Sequence, residues 1–209
     1  MHFYLSSYQL CNQPSRFSSK FKGKRKVAII KNALDFNEDI GWQSKKLDQQ
    51  ILDLKNLGLD GQIVDLRDFF NRKVELRENL SNYGGFWVVG GNAFVLRKAM
   101  RQSGFDEFLL SSLASDLVYG GYSAGVCVLS PSLHGIHLVD KPDILPAGYR
   151  GEPMWDGLNI LKYSVAPHYA SQHHESHLIE HAVKYFIENK MLFVALKDGE
   201  SISCDIFSV

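Results

Sequence analysis

The sequence Gly-Tyr-Ser-Ala-Gly at residues 121–125 places a serine between two glycines, each two positions away. This pattern is typical of a sharp turn from a strand into a helix, which lifts a serine hydroxyl clear of the sheet. The glycines leave room for neighbouring backbone, and the first helical N–H groups point toward the same place. We therefore predict that Ser123 is a nucleophile. A turn before a helix favours glycine and serine in any case, so the pattern alone is only moderately specific.

A serine hydroxyl needs a base to become nucleophilic, and imidazole is suited to this role because it titrates near neutral pH. Among eight histidines, His168 follows an apolar strand and Pro167. That position is the carboxyl end of a strand, where ligands of open α/β sheets bind. His168 is thus the candidate base, and the alternative is a structural histidine that bonds to the backbone.

A third residue, a carboxylate, should fix the tautomer of the imidazole. Asp198 follows an apolar strand and precedes Gly199, although Asp-Gly is also a common turn. Spacing alone does not separate Asp198 from Asp140, Asp143 or Glu200. The order serine, histidine, acid differs from that of α/β-hydrolases, so a lipase or esterase of that fold is disfavoured unless the acid is Asp140 or Asp143.

The elements that position these residues can be predicted from apolar patterning. Apolar or alternating runs predict strands at residues 2–8, 27–30, 62–66, 86–89, 117–120, 160–165, 192–196 and 201–207. Helical periodicity predicts helices at residues 39–57, 93–101, 105–115, 174–189 and from residue 126. A helix between two short apolar strands is a βαβ unit, which implies parallel strands. We expect one α/β domain over residues 1–209, a three-layer sandwich with a mostly parallel central sheet.

Composition excludes several function classes. The 209 residues include 23 basic and 23 acidic side chains, so no net charge attracts nucleic acid or an anionic membrane. The three cysteines, Cys11, Cys127 and Cys204, form neither an even set nor a CxxC motif, which favours reduced thiols. Neither a signal peptide nor an apolar run of 18 residues is recognisable. We therefore expect a cytoplasmic protein that binds neither nucleic acid nor membranes.

Four stretches, at residues 88–94, 121–125, 166–169 and 196–199, together resemble one known family. In their order and spacing across residues 24–205 the chain is similar to peptidase E, the α-aspartyl dipeptidase, and to its serine-peptidase relatives, with cyanophycinase more distant. The resemblance implies the flavodoxin-like fold of class I glutamine amidotransferases, with serine in place of their cysteine. It also implies that Ser123 is the nucleophile and His168 the base. Asp198 lies where peptidase E has a glutamate, and Asp140 is the alternative acid.

The same resemblance implies an oxyanion hole. The turn Gly90-Gly91-Asn92 would place the N–H of Gly91 beside that of Ala124, where both could bind a substrate oxygen. Glycine permits such a close approach of backbone to a substrate carbonyl. A simpler interpretation is a strand-to-helix turn in which Asn92 caps the following helix, and both can hold together.

The expected function is that of a serine-type peptidase that hydrolyses short peptides through an acyl-enzyme and needs no cofactor. The family's preference for N-terminal aspartate would require a cation, for which Arg150 and Lys141 are candidates unless they are solvated loop charges. A narrow site behind the irregular segment 133–156 would favour short peptides. The alternatives are another amidohydrolase or esterase on the same fold, or a non-catalytic binding protein. The sequence leaves monomer and homodimer open.

Two further features suggest chemistry but have simpler interpretations. His173, His177 and His181 are spaced four residues apart, so they would share one helix face. The first pair has the spacing of metal ligands, but no carboxylate or cysteine completes a set, so we predict a solvated face and no metal. Cys127 follows Ser123 by one helical turn and is predicted to be a small buried side chain.

Overall fold

The computed structural model describes residues 1–205. The strands are β1 (His2–Ser6), β2 (Lys26–Ile30), β3 (Asp60–Val64), β4 (Gly85–Val88), β5 (Val118–Tyr122), β6 (Ser164–Ala166), β7 (Phe193–Ala195) and β8 (Ser201–Asp205). The α-helices are α1 (Ser15–Ser18), α2 (Ile40–Asn56), α3 (Lys73–Leu80), α4 (Ala93–Ser103), α5 (Phe105–Ser111), α6 (Ala124–Cys127) and α7 (Ser176–Glu188). Short 3₁₀ helices lie at Asn32–Phe36, Leu66–Phe69 and Ile136–Leu138.

Six strands form the central sheet in the order β3-β2-β4-β5-β1-β8. Every neighbouring pair is parallel except β1 and β8, which are antiparallel. Along β2 the side chains alternate between two buried clusters. Val27 and Ile29 face α1 and α2, whereas Ala28 and Ile30 face α3 to α7. Because helices cover both faces of a mostly parallel sheet, the predicted α/β sandwich is confirmed.

Helix α2 shows how local sequence sets the boundaries of an element. Asp39 precedes the helix, and its carboxylate accepts the Trp42 N–H at 3.0 Å. Leu47 and Leu54 lie one above the other on the buried face. Gly58 follows the helix with a φ of +70°, a left-handed conformation that glycine adopts without strain. The predicted limits, 39–57, therefore agree with the structure.

A second, smaller sheet consists of β6 and β7, which are parallel. The apolar run at 160–165 was predicted to be a strand, but only its last two residues pair. Residues 158–161 instead lie against the chain that follows α6. There the Leu158 N–H donates to the Val128 carbonyl, and the Leu161 N–H donates to the Leu129 carbonyl. The end of the predicted strand 201–207 lies outside the described residues.

The irregular segment 133–156 packs against the helical layer rather than forming an open loop. Its ends are joined where the Leu133 N–H donates to the Trp155 carbonyl, at 2.8 Å. Gly135 lies against the Phe186 ring of α7, where any side chain would collide with that ring. Within residues 1–205, the helices are all too short or too polar to cross a bilayer.

Candidate active site

The backbone at Ser123 has the strained turn that its sequence predicts. Ser123 directly follows β5 and has φ 49° and ψ −116°, an uncommon conformation for a residue with a side chain. Its carbonyl accepts the N–H groups of Val126 and Cys127 at 2.8 and 3.0 Å, which starts α6. The Ser123 side chain itself makes no capping bond to this helix. The turn therefore holds the hydroxyl in position without using it for structure.

Packing explains why glycine flanks this turn. A Cβ atom at position 125 would lie 2.4 Å from the Val88 carbonyl oxygen of the neighbouring strand. A Cβ atom at Gly90 would lie 3.0 Å from Cβ of Ser123 and 2.6 Å from the Tyr122 ring. Side chains at these positions would push the serine away from the tip of β4.

The structure brings the predicted histidine and one predicted acid into contact. His168 lies two residues after β6 and Asp198 three residues after β7, and the pairing of these strands places their ends side by side. The His168 Nδ1 atom is 2.8 Å from the Asp198 Oδ1 atom. A carboxylate at Nδ1 assigns the proton to that nitrogen, so the Nε2 atom keeps its lone pair. This is the tautomer that a general base requires.

Burial sets the proton affinity of this imidazole. The His168 side chain is 2% exposed, and the Asp198 side chain is 26% exposed. Burial lowers the pKa of His168 below its usual 6.5, and the nearby Asp198 opposes that shift only in part. His168 is therefore neutral at pH 7 and able to accept a proton.

Ser7, for which no sequence motif predicts a role, links the histidine to the acid. It follows β1, and its Oγ atom accepts the backbone N–H of His168 at 2.7 Å. The same hydroxyl lies 2.8 Å from the Asp198 Oδ1 atom, to which it can donate. Ser171 adds a further bond, since its hydroxyl accepts the Asp198 backbone N–H at 2.8 Å. Single serines at strand ends form no motif, so no sequence pattern predicts this network.

His173 lies against the candidate base rather than on a helix face. Helix α7 starts at Ser176, so the prediction that His173, His177 and His181 share one face was wrong. The His173 ring stacks on the His168 ring with centroids 3.7 Å apart and planes 11° apart. The Tyr8 ring contacts both imidazoles. These rings form one wall of the site.

One group of residues within 1–205 could hold a metal ion. His168, His173 and Glu175 offer ligand atoms that all lie within 4.8 Å of one another. Imidazole nitrogens bind metals along lone pairs in the ring plane, and two nearly parallel stacked rings direct these lone pairs side by side rather than toward one point. Metal binding would therefore require rotation of a ring out of the stack.

The turn after β4, which is the predicted oxyanion-hole element, packs closely on neighbouring backbone. Gly91 has a φ of +149°, and a Cβ atom there would lie 2.3 Å from the Ala33 carbonyl oxygen. Among the described residues, the N–H groups of Gly91 and Ala124 donate to no protein acceptor. The Asn92 side chain accepts the Val95 N–H at 2.9 Å, so Asn92 is a helix cap.

Asp140, the alternative acid, contacts a different part of the site. Its Oδ2 atom accepts the Ala93 N–H at 2.8 Å, at the start of α4. Burial raises the pKa of Asp140 to about 8, against the partial opposition of that hydrogen bond. The structure places no part of Asp140 in contact with His168, whose carboxylate partner is Asp198.

These residues surround a cavity of about 80 Å³ at the carboxyl ends of the strands. Its lining consists of Tyr8, Phe36, Trp42, Lys46, Gly90, Gly91, Tyr122, Ser123, His168, His173, His174 and Glu175. Within this lining, Ser123 and His168 share the cavity but no hydrogen bond. The candidate cations Lys141 and Arg150 are exposed. No residue of segment 133–156 lines the cavity. Lys46 is the cation that the sequence analysis missed.

Cys127 takes no part in the cavity. It is 3% exposed, its Sγ atom lies 3.6 Å from the Val165 carbonyl oxygen, and burial raises the pKa of its thiol. The thiol is therefore protonated and unreactive at neutral pH, in agreement with its predicted role as a small buried side chain.

Comparison with solved structures supports the fold. A crystal structure from Listeria monocytogenes, described provisionally as a peptidase E protein, superposes with a TM-score of 0.76 and 22% identity over 98% of both chains. A peptidase structure from an acI-B1 Actinobacterium gives a TM-score of 0.63 and 14% identity, over 97% of this chain and 82% of that one. At these identities the likeness concerns the fold alone.

Sequence comparison supports the family. An uncharacterized peptidase of Listeria innocua is 32% identical over 74% of this chain and 69% of its own length. An uncharacterized peptidase of Listeria monocytogenes and peptidase E of Streptomyces coelicolor are 30% and 29% identical, over 56% and 54% of this chain. The chain spans 54% and 45%, about half, of those two relatives. The model of peptidase family S51 matches residues 24–205, and the chain therefore belongs to this family.

Proposed function

We propose that the chain is a serine-type peptidase that hydrolyses short peptides through a Ser123, His168 and Asp198 triad. The observation that carries the proposal is the 2.8 Å contact between the His168 Nδ1 atom and the Asp198 Oδ1 atom, beside the cavity that Ser123 lines. The contact leaves the Nε2 atom as the only basic site of the imidazole. Membership of family S51 supports peptide hydrolysis as the reaction class.

In the proposed reaction, the Ser123 hydroxyl attacks a peptide carbonyl as His168 Nε2 takes its proton. The oxygen of the tetrahedral intermediate accepts hydrogen bonds from the Gly91 and Ala124 N–H groups, which donate to no acceptor among the described residues. His168 then gives the proton to the leaving amine. Water hydrolyses the acyl-enzyme with the same histidine as base. Ser123 and His168 are not hydrogen-bonded in the free protein, and such contacts often tighten only when substrate binds.

The charges of the cavity support a short peptide as substrate. Lys46 and Glu175 both line it, and each acts on the other electrostatically. An ammonium group could lie near Glu175 and a carboxylate near Lys46, as in a short peptide with free termini. Lys141 and Arg150, the cations suggested for an N-terminal aspartate, lie outside the cavity and so lend no support to that preference.

A fluorophosphonate probe tests the nucleophile. We expect labelling of the wild-type protein, no labelling of Ser123→Ala and strongly reduced labelling of His168→Ala. Ser18→Ala is the matched control, since Ser18 lies on α1, outside the cavity, and should leave labelling unchanged. Undiminished labelling of Ser123→Ala would refute the assignment.

A substrate comparison tests the reaction class. Dipeptides and short acyl esters are assayed with the wild-type protein. The proposal expects the larger kcat/KM on peptide bonds after allowance for the greater intrinsic reactivity of esters. Hydrolysis confined to esters would indicate an esterase on this fold, and no turnover of either class would indicate a binding protein.

A further inference from the structure

A second, larger cavity lies beside the one around Ser123. The inner cavity measures about 80 Å³ and the outer about 340 Å³. The two share four lining residues, namely Tyr8, Trp42, Lys46 and Tyr122. Small-molecule sites usually measure about 300–1,000 Å³, so the inner cavity alone is too small for a peptide. A substrate whose scissile amide lies at Ser123 must therefore extend into the outer cavity.

One face of α2 forms a wall of the outer cavity. Trp42, Lys45, Lys46 and Gln49 have the spacing of one helix face and all line it. The Lys46 ammonium lies 4.5 Å from the centre of the Trp42 ring, which holds the charge at the boundary of the two cavities. The same cavity is also lined by Tyr8 and Gln9, which follow β1.

The charged side chains that line the outer cavity are all basic. Lys45 and Lys46 are the basic side chains among its lining residues, and no carboxylate is among them. Within residues 1–205, neither lysine forms a salt bridge at 4.0 Å or less. The Gln50 amide, by contrast, is already bonded, because its Oε1 atom accepts the Trp87 indole N–H at 2.8 Å. Among the described residues, neither lysine therefore has a salt-bridge partner that an anionic ligand must displace, and Glu175 acts on Lys46 only from the inner cavity.

We infer that the outer cavity is a subsite for a carboxylate of the substrate. It binds the part of the peptide that lies beyond the residue next to the scissile bond. Lys45 and Lys46 bind the carboxylate, and the rings of Trp42 and Tyr8 pack against the intervening chain. This inference rests on the proposed function, which it deepens. If the outer cavity binds a carboxylate in this way, the substrate class is acidic peptides of at least three residues. The carboxylate can belong to an acidic side chain or to the C-terminus of the peptide, since both have the same chemistry.

Binding is measured first, by calorimetry with Ser123→Ala, so that the result does not depend on turnover. Two tripeptide pairs separate the sources of the carboxylate. One pair carries Glu or Gln at the third position with an amidated C-terminus, and the other is a neutral tripeptide with a free or amidated C-terminus. We expect a member with a carboxylate to bind about tenfold more tightly than its uncharged partner, as for a hydrogen bond to a charged group.

The double variant Lys45→Gln/Lys46→Gln should abolish this preference and leave affinity for the uncharged peptides nearly unchanged. The matched control is Lys55→Gln, since Lys55 is exposed on α2 and lines neither cavity. Equal binding of charged and uncharged peptides, or a preference that survives the double variant, would overturn the subsite. Loss of fluorophosphonate labelling is a separate result, because it bears on the nucleophile and not on this subsite.

Discussion

Asp198 and Asp140 were both candidates for the triad acid, and their surroundings differ sharply. Asp198 accepts hydrogen bonds from the His168 ring and from the Ser7 hydroxyl, and its side chain keeps some access to water. Asp140 accepts the N–H of Ala93, and burial raises its pKa to about 8. One carboxylate contacts the base, and the other contacts the start of α4.

The difference shows what a triad acid needs besides proximity to the nucleophile. A carboxylate stabilises the imidazolium formed during catalysis only if it is ionised at the working pH. Asp140 makes no contact with His168, and burial shifts its carboxyl toward the neutral form, so it is the poorer candidate on both conditions. Asp140 can instead support the turn of Gly91, because Ala93 begins the helix that follows this turn.

Replacement of Asp198 should have the largest effect on activity. Asp198→Asn leaves the shape of the site but favours the wrong tautomer of His168, so we expect kcat to fall by about 10⁴. Asp140→Asn is the matched variant and should retain most of the activity. Steady-state kinetics with a short peptide measure both. The reverse order of effects would make Asp140 the triad acid.

Ser7→Ala should have the next largest effect, through the position of the triad. The substitution leaves the buried His168 N–H unpaired, at a cost of about 1–3 kcal/mol, and removes one donor from Asp198. We expect kcat to fall about tenfold with little change in KM, on the basis of the lower end of that cost. The proton NMR signal of the His168 Nδ1–H should also shift. Ser203→Ala on β8 is the control, and an equal loss there would indicate a general effect on stability.

The pH dependence of kcat/KM provides a smaller but direct test. Burial lowers the pKa of His168, so the base becomes protonated and inactive only below pH 6.5. Activity should therefore rise with pH through a midpoint below 6.5 and be nearly constant at pH 7. A rise centred near pH 8 would instead make the ionisation of Asp140 the controlling step.

Asp140→Asn should have the smallest effect on activity and should act on stability alone. The pKa of Asp140 is raised from 3.8 to about 8 in the folded chain, so the unfolded chain releases this proton at lower pH. Asp140 therefore contributes stability below pH 4 that is lost as pH rises to 8. The variant should have a wild-type Tm at pH 4 and a higher Tm than wild type at pH 8. Parallel Tm curves would show that Asp140 is not buried in its neutral form.

Much of the fold follows from short-range patterns. The apolar runs of β2 and β4 and the amphipathic α2 predicted the central βαβ arrangement, because burial on both faces requires continuous apolar strands. The prediction was less accurate after residue 156. There the apolar residues pack on the chain after α6 instead of entering a ladder, and periodicity does not distinguish these two ways of burying a residue.

The candidate site was predictable where chemistry leaves a local signal. Ser123 has a flanking glycine pattern, and His168 and Asp198 each end a strand. The choice between Asp198 and Asp140 was not predictable, because it depends on the pairing of β6 with β7. Lys46 was missed for a related reason. A lysine on an amphipathic helix looks solvated until the neighbouring loop is positioned beside it.

The position of β1 has a consequence for how the molecule is made. This strand is the first in the chain, yet it lies between β5 and β8, so that His2 pairs with Val118 on one side and Asp205 on the other. Contacts so distant in sequence form late and slow the folding rate. Ser7 follows directly on β1, so the link between histidine and acid forms only after synthesis has passed residue 198. A nascent chain that ends before residue 198 therefore contains Ser123 and His168 but cannot form the hydrogen bonds that join Ser7 and His168 to Asp198.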